Sequence, residues 1–545
     1  ASTAFTISGA TLSLVNNGLS ASNNRISNTA AITLNSGTIN LTGANQSSTA
    51  ETIGTGTGVA LNQGLNTITV TAPLAATNNT AALTIDNLTR TIGTGAVAVF
   101  NGTTLGQTLP GSAQIFVNSL NGSTLASGLL GGWATVGATA ATNDNWATNV
   151  AAQTLAGNVA TTFNSNTVTL TSGNTTNMII GQQITGTAIP VGSYITGITS
   201  ATVFTISQNA SATTTTGNAT LTAAGISALN AAAYTVISAT GAQSTTTASG
   251  NYQFSGITAA INLAAVGNTV NSLQLTGAAA GVQILDLGAG KLTITSGGIM
   301  RTSIGAAGTT TLQNGTLTAG ANNGTAAELD IYANNTGIMT LATGLIIADN
   351  GTYSAGVSGN MVTLVKSGTA GLTITSASNN TYTGGTVINS GTLTLSNVSA
   401  NGTSNVSISA GAGTNGSSTI TGYSLVINNG ATVTETIANQ IAQSASVLIN
   451  GGFYYTQPLP EADEAIAELG GVRALGAAAA ARRGAPRRGP ALRRQVRGAP
   501  DAGAGPQRHL CAHPPRCVRA RVLLDQRPRP LHPGARERGH TDVCA

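Results

Sequence analysis

The first 455 residues contain neither histidine nor cysteine, so no Ser-His-Asp or Cys-His nucleophile can be assembled from them. Carboxylates remain: Glu51, Asp86, Asp144, Asp286, Glu328, Asp330, Asp349 and Glu435. β-Helical polysaccharide lyases and hydrolases work with such groups plus a cation, here Lys291 or Arg301. Glu328 and Asp330 alone lie close in sequence, and two residues apart on a strand they face the same side. The plainer reading of that pair is a solvated strand edge. Trp133 and Trp146, the two tryptophans, would suit sugar stacking if exposed, but capping or filling a loop core is their expected task. Cys511, His513 and Cys517 have the residue types of a metal site. Their Arg-, Ala-, Pro- and Gly-rich surroundings argue against one. No catalytic, cofactor-binding or metal-ligating residue is assigned, and no cofactor is expected.

A change of composition near residue 456 divides the chain. Residues 456–545 hold all four His, all three Cys, 16 of the 21 Lys and Arg and 11 of the 14 Pro. The preceding 455 carry five basic and eight acidic residues, so the basic pI near 9.3 belongs to the tail. Such low charge with many aliphatic residues argues for a folded body rather than a disordered one. No run of 18 apolar residues is present, so no bilayer-spanning helix is expected. The first residue is Ala rather than Met, which reads as a processed or trimmed N-terminus. The tail has no Ser, Asn, Lys or aromatic residue, and Ala, Arg, Pro and Gly make up 55 of its 90 positions. Those residues have GC-rich codons, so a misread frame is the leading explanation and a genuine Arg/Pro-rich appendage the other. Mostly disorder is expected there, with a helix over 461–481 that Pro460 and the early acidic residues would start.

Within the body, apolar and small polar residues alternate, as in Asn66 to Thr71 and Lys291 to Thr295. A period of two with β-branched residues predicts half-buried strands. A small polar pair and a glycine punctuate them, as at Gly37, Gly297, Gly315, Gly391 and Gly451. Some separations resemble a solenoid repeat, 18 residues from Gly297 to Gly315 and 21 from Gly430 to Gly451. The fold class expected is all-β, a right-handed parallel β-helix with aliphatics inside and Thr, Ser and Asn outside. If all of the body coils at about 20 to 25 residues per turn, it forms a rod roughly 100 Å long. A series of β-sandwiches is the alternative. The organisation reads as solenoid over 1–165, a small β insertion or longer-looped solenoid over 166–224, solenoid over 225–455, and the tail over 456–545.

Residues 364–395 read Leu-Val-Lys-Ser-Gly-Thr-Ala-Gly-Leu-Thr-Ile-Thr, then Thr381-Tyr382-Thr383-Gly384-Gly385-Thr386, then Asn389, Gly391 and Leu393 in register. This resembles the autotransporter-associated β-strand repeat, with one extra residue in Gly368-Thr369-Ala370-Gly371 that lengthens a corner. The resemblance implies a β-helical passenger exported to a bacterial cell surface. It also implies that Lys366, Gly368, Tyr382, Thr383, Gly384, Gly385, Asn389 and Gly391 are structural motif residues rather than ligand contacts. The translocator barrel of such proteins is not among these 545 residues.

Three functions are therefore weighed: a non-enzymatic surface or secreted passenger with a structural or adhesive role, a carbohydrate-active β-helix enzyme, and a nucleic-acid or anionic-surface binder acting through the basic tail. The first is favoured, with an extracellular or cell-surface location. Its partner is an unidentified surface or matrix component, of which polysaccharide is one candidate. Nucleic acid is not expected.

Overall fold

A computed structural model describes residues 4–16, 22–72, 79–137, 145–237, 241–243, 249–255, 260–263, 268–276, 282–302, 308–320, 325–334, 338–351, 361–398, 408, 414–415, 418–419, 423–456, 465–466 and 516–518. The described residues are all-β apart from a single-turn 3-10 helix, Ala231–Ala233. No helix among the described residues is long and apolar enough to cross a membrane.

Parallel pairing dominates. In the N-terminal section the strands Ala4–Ser8, Ala31–Asn35, Val59–Gln63, Ala81–Arg90 and Ala113–Leu120 form one ladder in chain order. Thr11–Val15, Thr38–Thr42, Leu65–Thr71, Val97–Gly102 and Ala134–Gly137 form another. Each strand pairs with the equivalent strand of a later pass, so like residues stack: Leu12, Ile39, Ile68, Phe100 and Val136 form one column. The C-terminal section repeats the scheme with two ten-stranded sheets and one of four strands. Leu285, Leu312, Leu341, Ile374 and Leu395 make an inward column. Beside it Thr311, Thr340, Thr373, Thr394 and Thr434 make an outward, half-exposed one. Alternation along each strand produces both columns at once, because neighbouring residues point to opposite faces.

Residues 153–221 are organised differently. Six antiparallel strands from Gln153–Thr161 to Thr214–Leu221 close over a core of their own, which includes Val159, Val168, Ile195, Phe204 and Leu221.

The two parallel sections do not continue one another as a single long rod. Gly132 donates to Ser296 O at 2.9 Å, Gly95 lies against Val387, and Gly9 lies near Asn429. Later positions in the N-terminal section thus meet earlier ones in the C-terminal section, and the chain doubles back on itself. Ten strands at about 4.8 Å span only about 45 Å, well short of the length expected from one uninterrupted stack. The doubling also covers one sheet on both faces. Met300, Tyr332 and Val365 point away from the C-terminal core and pack with the N-terminal one.

Described tail residues extend both ten-stranded sheets. Ala465–Ile466 pairs with Ser446 and Val447, and Arg516–Val518 runs antiparallel to Tyr454, Tyr455 and Thr456. Within the helix expected over 461–481, the described residues Ala465 and Ile466 are strand, and the remainder lies outside the described residues. Val447 and Ile449, on the strand that Ala465–Ile466 extends, are buried.

Candidate functional site

The repeat-like segment occupies two corners of the C-terminal section. Lys366 lies on Val362–Ser367 and falls in an otherwise apolar inward column: Leu273, Ile299, Ile331, Lys366, Ile388, Ile427, Ile449. Fully buried, its Nζ donates to the carbonyls of Ser367 (2.8 Å), Gly368 (2.9 Å) and Ser390 (3.1 Å). Burial pushes the ammonium down to about 7. The three carbonyls oppose that, since only the charged form carries three donors. The lysine thus threads the core with its alkyl stem and ties two successive passes at a corner.

Its partners in the motif make room for this. Gly391 has φ +69°, and a Cβ there would come within 2.4 Å of Gly368 O and 3.0 Å of Lys366 Nζ. Gly368 and Gly385 also have positive φ, and Gly384 donates from its amide to Val362 O at 2.9 Å. Tyr382 is buried in the core, and its hydroxyl lies 2.6 Å from that of Thr386, which occupies an inward position between Leu364 and Leu425. Burial raises the Tyr382 pKa. Thr383 is fixed by Asp349, whose carboxylate accepts from the Thr383 amide (2.9 Å) and hydroxyl (2.7 Å). Asn389 begins an amide stack. It accepts from Asn428, which accepts in turn from Asn450, and it donates to Gly95 O at 2.7 Å in the N-terminal section.

The second candidate lies where the sections meet. Glu328, Asp330 and Tyr332 alternate along Ala327–Ala333 on the face turned to the N-terminal section, while Leu329, Ile331 and Ala333 face the C-terminal core. Both carboxylates are buried, so the solvated edge expected for them is replaced by a covered face. Glu328 Oε2 pairs with Arg90 Nη2, and Oε1 accepts from the amides of Gly93 (2.7 Å) and Gly95 (3.0 Å). Arg90 also donates to Ala96 O at 2.7 Å and lies over the Trp133 ring, 5.2 Å from its centroid. Burial lowers the Arg90 pKa and the charges of Asp330 and Tyr332 raise it, so the guanidinium stays protonated. Asp330 is pushed up to about 7 by burial, with Arg90 pulling the other way. Burial, reinforced by Asp330, raises Tyr332, whose hydroxyl donates to Trp133 O at 3.0 Å.

Both tryptophans belong to this junction. Trp146 is fully buried and meets the Tyr332 ring edge-on at 5.8 Å and 81°, and Trp133 is 7% exposed. They fill a core, and neither offers a face to a sugar. The close fit depends on Gly132 and Gly298, since a Cβ on Gly132 would fall 2.4 Å from Gly298 N.

The other carboxylates are held apart by partners of their own. Glu51 accepts from the amides of Arg25 and Ile26. Asp86 accepts from Asn118, and Asp286 from Gln313, Asn314 and the Gly288 amide. Glu435 is buried. Lys291 donates to Asn350, and Arg301 donates to the carbonyls of Thr302 and Gly308 in the C-terminal core. Asp144, Cys511 and His513 lie outside the described residues, and Cys517 is described only as part of Arg516–Val518. No three His, Cys, Asp or Glu side chains gather to hold a metal among the described residues. The signal for Arg90 as the partner of Glu328 was absent from the sequence, since the two are 238 residues apart. No family model, curated protein or solved structure matches the chain.

Proposed function

We propose that the chain is a non-enzymatic passenger of a bacterial cell surface or secretome, with a structural or adhesive role and a parallel β-helix, right-handed as in the resembled repeat, as its scaffold. The observation that carries this reading is how the eight repeat-like residues are spent. Lys366, Thr383 and Asn389 direct their polar atoms to neighbouring passes of the chain, Tyr382 turns its hydroxyl to Thr386 in the core, Gly368, Gly385 and Gly391 make the turns, and Gly384 leaves room for Val362. Residues used this way build length and stiffness. Their polar groups are thereby turned to the chain itself rather than to a substrate. The half-exposed threonine column supports an outer face suited to hydrated neighbours such as matrix polysaccharide.

Protease shaving of intact producing cells tests the location: the chain should be cleaved without lysis, and protection until lysis would overturn the proposal. The non-enzymatic part is tested by incubating the purified chain with neutral and acidic polysaccharides. New reducing or unsaturated ends, lost in Glu328→Gln, would establish the carbohydrate-active alternative instead.

A further inference from the structure

The junction between the two sections holds one guanidinium and two carboxylates, all buried. We propose that it is a proton-operated latch, which holds the sections together while Asp330 is protonated and loosens them when Asp330 ionises.

Glu328 is fully served as an anion: it has the Arg90 guanidinium and the amides of Gly93 and Gly95. Asp330, two residues on and facing the same way, has an Oδ1 with no hydrogen-bond partner. Arg90 and Glu328 cancel, so an ionised Asp330 adds a second negative charge with no second cation. The groups around it offer none. Gly298 lies opposite it on one neighbouring strand and Val365 on the other. Arg301 and Lys366, on those same strands, register with Ala333 and Ile331 and so alternate to the opposite face. On its own strand Tyr332 has committed its one proton to Trp133 O. From the N-terminal section Arg90 is the one charged group acting on Asp330 among the described residues; Trp133, Trp146 and the Thr135 hydroxyl line the same junction without charge.

A buried charge without a partner is costly, and parting the sections relieves it by admitting water. The direction follows from linkage. Asp330 titrates near 7 in the closed junction against an ordinary value of 3.8. Closure is therefore undiminished below about pH 4, weakens up to about tenfold per unit between pH 4 and 7, and levels off above 7.

Trp133 and Trp146 are the two tryptophans of the chain and both flank the cluster, so intrinsic fluorescence of the full chain reads the junction directly. The expected result is a red shift and rising acrylamide quenching from pH 4 to 8, with far-ultraviolet circular dichroism unchanged. Asp330→Asn should abolish the pH dependence. Glu328→Gln, which frees Arg90 to pair with Asp330, should move the profile to lower pH. A wild-type profile flat over this range, a profile retained in Asp330→Asn, or loss of circular dichroism in step with the fluorescence would each overturn the latch. Should Asp330→Asn fail to fold, the wild-type and Glu328→Gln profiles decide.

Discussion

Lys366 reaches from one pass of the chain to the next, its Nζ 3.1 Å from the carbonyl of Ser390. Replacing it by methionine keeps the apolar stem but strips the donors from three carbonyls at a closed corner. Leaving buried acceptors unserved costs about 1–3 kcal/mol. Lys366→Met should lower the denaturant midpoint accordingly, and a midpoint equal to the wild type would mean that the tie contributes nothing.

Arg90 and Glu328 form the ion pair that joins the two sections. Arg90→Met leaves the Glu328 carboxylate buried with two amides and no cation, which should destabilise the chain by about 3–5 kcal/mol. The double variant Arg90→Met, Glu328→Gln removes both charges and should regain most of that loss. Urea denaturation of the wild type, the single variants Arg90→Met and Glu328→Gln, and the double variant tests the coupling. Additive single effects would show that the two residues do not act as a pair.

Period-two alternation was legible because it is local. Leu372, Thr373 and Ile374 declare which side faces inward without reference to anything distant. The same alternation placed Glu328 and Asp330 on the outward face, and that much agrees with the structure. Outward is not solvent here, because a section more than 200 residues earlier in the chain covers the sheet. A trace of this was present: Met300 and Val365, on the flanking strands, are apolar at positions where Thr would stand on a wetted face. Lys366 was harder to read. A lysine in the alternating pattern looks like a surface residue until the corner carbonyls that receive it are in place.

Gly391 and Gly371 offer a contrast within one pair of adjacent strands. Gly391 has positive φ and no room for a Cβ, whereas a Cβ on Gly371 would meet nothing nearer than Thr392 O at 4.0 Å. Gly391→Ala should cost about 1–3 kcal/mol from backbone strain alone. Gly371→Ala should be neutral or stabilise by about 0.5 kcal/mol through the unfolded chain. Thermal melting of both separates a conformational requirement from mere smallness, and equal losses would contradict the assigned geometry.

Ser446–Ile449 and Phe453–Thr456 are each paired on their outer edge by a short strand from the compositionally foreign segment, Ala465–Ile466 and Arg516–Val518. Open strand edges recruit other strands, and stacked repeats need their terminal faces covered. A chain ending at Thr456 should therefore associate end to end more readily than the 545-residue chain, with a concentration-dependent rise in light scattering. Hydrogen exchange on the longer chain gives the complementary reading: amides of Ser446–Ile449 should be protected there and exchange faster in the shorter one. If truncation changes neither, the two short strands do not act as a cap.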